Sequence, residues 1–200
     1  MNKNLKLILI FVILVAVLAG AGVLYNDLQD QVNTDQLATQ PTEPTQATQP
    51  ADPTEATRDN RSLAPDIEVI DWEGNTRKLS EFYGKPIILN FWASWCSPCK
   101  SEMPEFQEAY DTYGEEIHFI LINCTDGSRE TRKDAMTFIR NSGYTFPVYF
   151  DTTGNAGTVY QAYSIPLTYF IDSEGYLTAY ASGALSAELL QQGIDMIYQP

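Results

Sequence analysis

The chain is poor in the residues that hold metals or staple small folds. It has three cysteines and one histidine in 200 residues. Three cysteines are too few for a disulfide-stapled secreted scaffold, and a chain long enough to build its own core does not need one. A lone histidine leaves little material for a zinc site. Positive charge is scarce too: 12 Lys and Arg stand against 26 Asp and Glu, a net charge of -14. That excludes nucleic acid as a partner, because binding it takes clustered basic residues. The charge is +2 over residues 1–25, -5 over 26–62 and -11 over 63–200. An acidic surface keeps a domain soluble and apart from its neighbours, but it names no partner.

The chain opens with an apolar run. Leu7 to Leu24 is eighteen residues without a charge, preceded by Lys3 and Lys6. As a helix it reaches about 27 Å, against a hydrocarbon core of about 30 Å, and it exceeds the roughly 7–15 residues of a signal-peptide core. Residues 1–25 read as a single-pass transmembrane anchor, with the basic flank cytoplasmic and everything after it outside the cell membrane. Ala19-Gly20-Ala21 also offers a cleavage pattern, and cleavage would give a secreted protein. No cysteine lies near the end of the run, which excludes lipid attachment there.

Residues 26–62 are low in complexity and rich in Thr, Pro and Gln, as in Pro41-Thr42-Glu43-Pro44-Thr45. Such a segment cannot bury enough surface to offset its ordering entropy, so it reads as a disordered linker. Its 37 residues reach roughly 35 Å as a flexible chain, enough to hold a domain off a membrane.

From residue 63 the pattern is globular. Strands are predicted at Ile67–Ile70, Ile87–Trp92, Ile117–Ile122, Phe146–Phe150, Leu167–Ile171 and Tyr176–Ala181. A helical turn is predicted at Leu79–Tyr83. Helices are predicted at Pro98–Tyr113, with Pro104 kinking it, and at Arg129–Asn141 and Ala156–Tyr163. Ser186 caps a last helix with Leu189, Leu190, Ile194 and Ile197 as its stripe. Strands alternating with helices, then a hairpin and a final helix, imply an α/β sandwich on a mixed sheet.

Cys96-Ser97-Pro98-Cys99 carries the chemistry. Two cysteines three positions apart can make and break a disulfide with each other. Cys96 falls where a strand ends and a helix begins, so free N–H groups and the helix dipole favour its thiolate, the attacking species. Cys99 lies one turn further in, on the same face. Cys96 is thus the attacking thiol and Cys99 the resolving one. The rival reading, half a zinc site, needs two more ligands. Only His118 and Cys124 remain, about 20 Å apart on one predicted strand, and they cannot reach one metal. No metal or cofactor is expected; a copper-carrying role is the lesser alternative. Cys124 reads as a core thiol and His118 as a strand-edge residue.

The segment Phe91-Trp92-Ala93-Ser94-Trp95-Cys96-Ser97-Pro98-Cys99-Lys100 resembles the active-site segment of thioredoxin-fold proteins. With Gly84-Lys85-Pro86, Phe146-Pro147-Val148, Asp151 and Ile171-Asp172-Ser173-Glu174-Gly175, residues 63–200 resemble the membrane-anchored TlpA/ResA-type thiol-disulfide oxidoreductases. The resemblance implies that Pro166 is a cis-proline facing the cysteines, with Ile165 presenting its backbone to a substrate chain. Leu167 stands where the family usually has Thr. It implies that Glu102 is a buried proton-handling group, whereas a solvated face is the other reading, since Glu102, Glu105 and Glu108 recur every three residues. Asn90 stands where thioredoxin has a buried Asp. Trp95, Ser97 and Pro98 border the site.

The resemblance further implies an extracytoplasmic reductase of disulfides in exported proteins, such as apocytochrome c, fed by a membrane thiol electron donor. Two other readings are weighed. One is a thiol peroxidase on the same fold, although the P-x-x-x-T-x-x-C pattern is absent before Cys96. The other is a tethered binding module or metal chaperone with structural cysteines.

Overall fold

The computed structural model describes residues 37–38 and 61–199, so the expected anchor over 1–25 and most of the linker over 26–62 lie outside the described residues. The strands are β1 (Leu37–Ala38), β2 (Glu68–Ile70), β3 (Thr76–Lys78), β4 (Ile87–Trp92), β5 (His118–Asn123), β6 (Val148–Phe150), β7 (Leu167–Ile171) and β8 (Leu177–Ser182). The helices are α1 (Ser97–Tyr113), α2 (Arg132–Ser142), α3 (Asn155–Val159) and α4 (Ala187–Ile197), with a 3-10 turn at Leu79–Phe82. Among the described residues no helix is long and apolar enough to cross a membrane.

One sheet takes the order β1-β8-β7-β4-β5-β6-β2-β3. β4, β5 and β6 are parallel neighbours. The remaining pairs are antiparallel. β4 is central and buried at every position, which explains its near-continuous apolar sequence. Its alternate side chains divide the core. Ile88 and Trp92 pack with Met103 and Phe106 of α1, Ile139 of α2 and Leu189 and Ile194 of α4. Ile87, Leu89 and Phe91 pack on the other face with Leu79, Phe82, Ala156 and Tyr160. Each such large side chain contributes roughly 1.5–3 kcal/mol by leaving water.

Some boundaries differ from the sequence reading, for local reasons. α2 starts at Arg132 rather than Arg129 because Asp126 Oδ1 accepts the N–H groups of Ser128, Arg129 and Glu130 at 2.7, 2.7 and 3.0 Å. That turn hands over to Thr131, the true cap, in a capping box with Asp134. α3 stops at Val159 rather than Tyr163, and Gln161 follows with a φ of 54°. β3 was not foreseen: Thr-Arg-Lys has no apolar alternation, and edge position rather than burial defines it. β1 falls inside the segment read as a structureless linker, pairing with Ala181 and Tyr180 of β8. A sheet edge accepts any extended backbone, so side chains carry no signal of it. α1 runs through Pro104 without a break, held by its buried stripe of Cys99, Met103, Phe106 and Ala109.

Candidate active site

Strand β4 delivers the chain to a short turn, and the turn delivers Cys96 to the start of α1. The turn is closed by the Cys96 N–H donating to the Ala93 carbonyl at 3.1 Å. Cys96 is the N-cap: its Sγ accepts the Cys99 N–H at 3.2 Å, satisfying one of the donors a helix start leaves free. Ser97 and Pro98 are exposed in the first turn, where a missing N–H costs nothing. Cys96 and Cys99 are joined in a disulfide with their Cα atoms 5.3 Å apart. Cys99 is fully buried, whereas Cys96 keeps 4% exposure. An incoming group can therefore reach only the Cys96 sulfur.

The loop between α3 and β7 faces this sulfur. Its Ile165–Pro166 bond is cis. The Ile165 carbonyl oxygen lies 3.7 Å from Cys96 Sγ, and Pro166 is pinned by the Gly183 N–H donating to its carbonyl at 2.9 Å. Beside the pair, Trp95 is 40% exposed.

Glu102 lies under the cysteines on the same helix and is fully buried. Its two oxygens accept from Asn90 Nδ2 and from the Leu185 N–H, each at 2.9 Å. Burial raises its pKa to about 7, with the Leu185 and Asn90 hydrogen bonds pulling the other way. Asn90 Nδ2 also donates to Thr168 Oγ1 at 2.9 Å, and Asn90 Oδ1 has no partner. The amide thus keeps an acceptor in reserve beside a carboxyl that gains a proton near neutral pH.

The other titratable candidates stand apart. Cys124 follows β5 as a free, half-buried thiol, pushed up to about 12 by burial and by the charges of Asp151 and Glu130. His118 opens β5 edge-on to Phe82 at 5.3 Å, its pKa lowered by burial and by Lys85. Among the described residues, no group of three or more His, Cys, Asp and Glu could hold a metal. Sequence reasoning missed Glu130, a fully buried carboxylate bonded to Ser94 and Asn123. It sits in the polar run Asp126–Lys133, where nothing distinguishes a buried acid from a solvated one. Thr168 and the Leu185 N–H as partners of the Asn90–Glu102 pair were likewise invisible, being brought in from β7 and the α4 approach.

A mixed sheet with a redox-active pair at a helix start defines a thioredoxin-like exchange domain. The chain belongs to the AhpC/TSA family, whose model matches residues 61–180. It is 31% identical over 137 residues to the thiol-disulfide oxidoreductase ResA of Geobacillus thermodenitrificans, covering 68% of this chain and 76% of that one. It is 36% identical over 132 residues to ResA of Oceanobacillus iheyensis, covering 64% and 67%. The crystal structure of StoA from Bacillus subtilis superposes with a TM-score of 0.56 at 28% identity, covering 64% of this chain and 96% of that one. This chain is accordingly a thiol-disulfide oxidoreductase with the fold and cysteine pair that the sequence implied.

Proposed function

We propose that the protein works outside the cytoplasm, held to the membrane by residues 1–25, and reduces disulfides of exported proteins such as apocytochrome c. The observation that carries this reading is the 3.7 Å approach of Cys96 Sγ to the Ile165 carbonyl, with Cys99 sealed behind it. A substrate chain lying along Ile165 and Pro166, bordered by Trp95, Ser97 and Pro98, would meet Cys96 and no other sulfur.

In the reduced protein the Cys96 thiolate attacks one substrate sulfur. The second substrate sulfur leaves as a thiolate and takes a proton. Glu102 accepts the proton of Cys99, for which a pKa of about 7 suits it. The Cys99 thiolate then attacks Cys96, and the first substrate sulfur leaves. Two electrons pass to the substrate, whose two sulfurs take one proton from Glu102 and one from the solvent that received the Cys96 proton, and Cys96–Cys99 is left as a disulfide. A membrane thiol carrier restores the pair. The test is the reduction potential of the pair, expected near the reducing end of the thioredoxin range, about -270 mV. A value near about -120 mV, that of a strong oxidant, overturns the reductase direction.

A further inference from the structure

Two consecutive residues before α2 grip two consecutive residues before Cys96, and the exchange steps above use neither. Glu130 is fully buried. Its Oε1 accepts the Ser94 N–H at 2.9 Å and Asn123 Nδ2 at 2.7 Å, and its Oε2 accepts the Ser94 hydroxyl at 2.8 Å. Asn123 is buried too, and its Oδ1 accepts the Thr125 hydroxyl at 2.8 Å. The guanidinium of Arg129 lies 3.4 Å above the Trp95 ring. The gripping segment is fixed at both ends, by the Asp126 carboxylate on one side and the Thr131 cap of α2 on the other. A buried carboxylate is costly unless donors converge on it. Here three do, and two of them belong to one residue of the turn that carries the attacking sulfur.

We propose that Glu130 and Arg129 are positioning residues that clamp Ser94 and Trp95, and through that turn hold Cys96 Sγ against the Ile165 carbonyl. The clamp sets both the speed of exchange at Cys96 and the balance between dithiol and disulfide. A displacement of about 1 Å at a reacting atom can cost on the order of a hundredfold in rate. The proposal rests on thiol-disulfide exchange at Cys96 but not on its direction.

The test uses the full-length chain carrying Ser94→Ala, Arg129→Ala or both, with wild type and Cys96→Ala as controls. It reads three quantities: the rate of insulin disulfide reduction, the equilibrium constant of the cysteine pair with glutathione, and the thermal midpoint. The double variant is expected to lose about tenfold or more in rate and to shift the glutathione constant about threefold or more, with the midpoint within a few degrees of wild type. Arg129→Lys, which keeps a cation over the ring, should recover part of the Arg129→Ala loss. A folded double variant within about twofold of wild type in both rate and constant overturns the proposal, a change too small to reflect a misplaced sulfur. If the double variant does not fold, Ser94→Ala alone decides on the same criteria, since it removes one hydroxyl from a half-buried residue. The glutathione constant needs no protein substrate. An inactive wild type with a normal constant would therefore count against the reductase reading and leave the clamp to be judged separately.

Discussion

At Glu102 a carboxyl three residues beyond Cys99 has lost its water and gained two N–H partners. Its pKa rises from 4.5 to about 7, so the folded chain binds this proton more tightly than the unfolded one. Stability from this group is fully present below pH about 4.5 and is lost as pH rises through about 7. The loss is on the order of 3 kcal/mol. Urea midpoints of the oxidised protein at pH 5 and pH 8 should fall further in wild type than in Glu102→Gln, which stays neutral throughout. Equal falls in the two would remove Glu102 as the titrating group. The cysteines were legible at this scale because their spacing alone implies shared chemistry. Glu102 was only half legible, since Asn90 of β4 and the Leu185 N–H before α4 meet one member of an acidic row that includes Glu105 and Glu108.

Elements followed the sequence where burial dictates pattern. β4 and α4 fall where apolar residues demanded them, and Ser186 caps α4 as expected, with the Leu189 N–H donating to its hydroxyl. Elements defined by polar contacts or by edge position, such as β3 and the turn before α2, left no such trace. The packing of α4 on β7 also depends on Gly193, which no pattern singles out. A Cβ there would collide with the ring of Phe170, itself fully buried. Gly193→Ala should destabilise the protein by about 1–3 kcal/mol through overpacking, despite alanine's better helix propensity. A urea midpoint at or above that of wild type would show that the ring can move aside.

For the whole molecule, every buried apolar residue among those described falls between Ala64 and Ile197. Apart from the β1 pairing with β8, contacts at the front of the domain begin slightly earlier than residue 63: Arg61 pairs with Asp172 and Glu174, and the Ser62 carbonyl accepts the Leu177 N–H. A chain beginning at Arg61 should match the full-length protein in urea midpoint and in insulin reduction. A lower midpoint would mean that earlier residues, β1 included, contribute to the fold. The α/β order of this domain was legible because its central strands are buried on both faces. The loop carrying Arg129 and Glu130 was not, since its partners Ser94 and Trp95 come from a distant part of the chain.

Cys124 gives the molecule a way of keeping its electrons counted. With its pKa at about 12, only about one such thiol in 100,000 is ionised at pH 7. It is a poor competitor for the sulfur of Cys96, so in the proposed cycle the mixed disulfide is left to Cys99. Cys124 is held back by its raised pKa and not by inaccessibility, since it is only half-buried, and the two-electron exchange is left to Cys96 and Cys99.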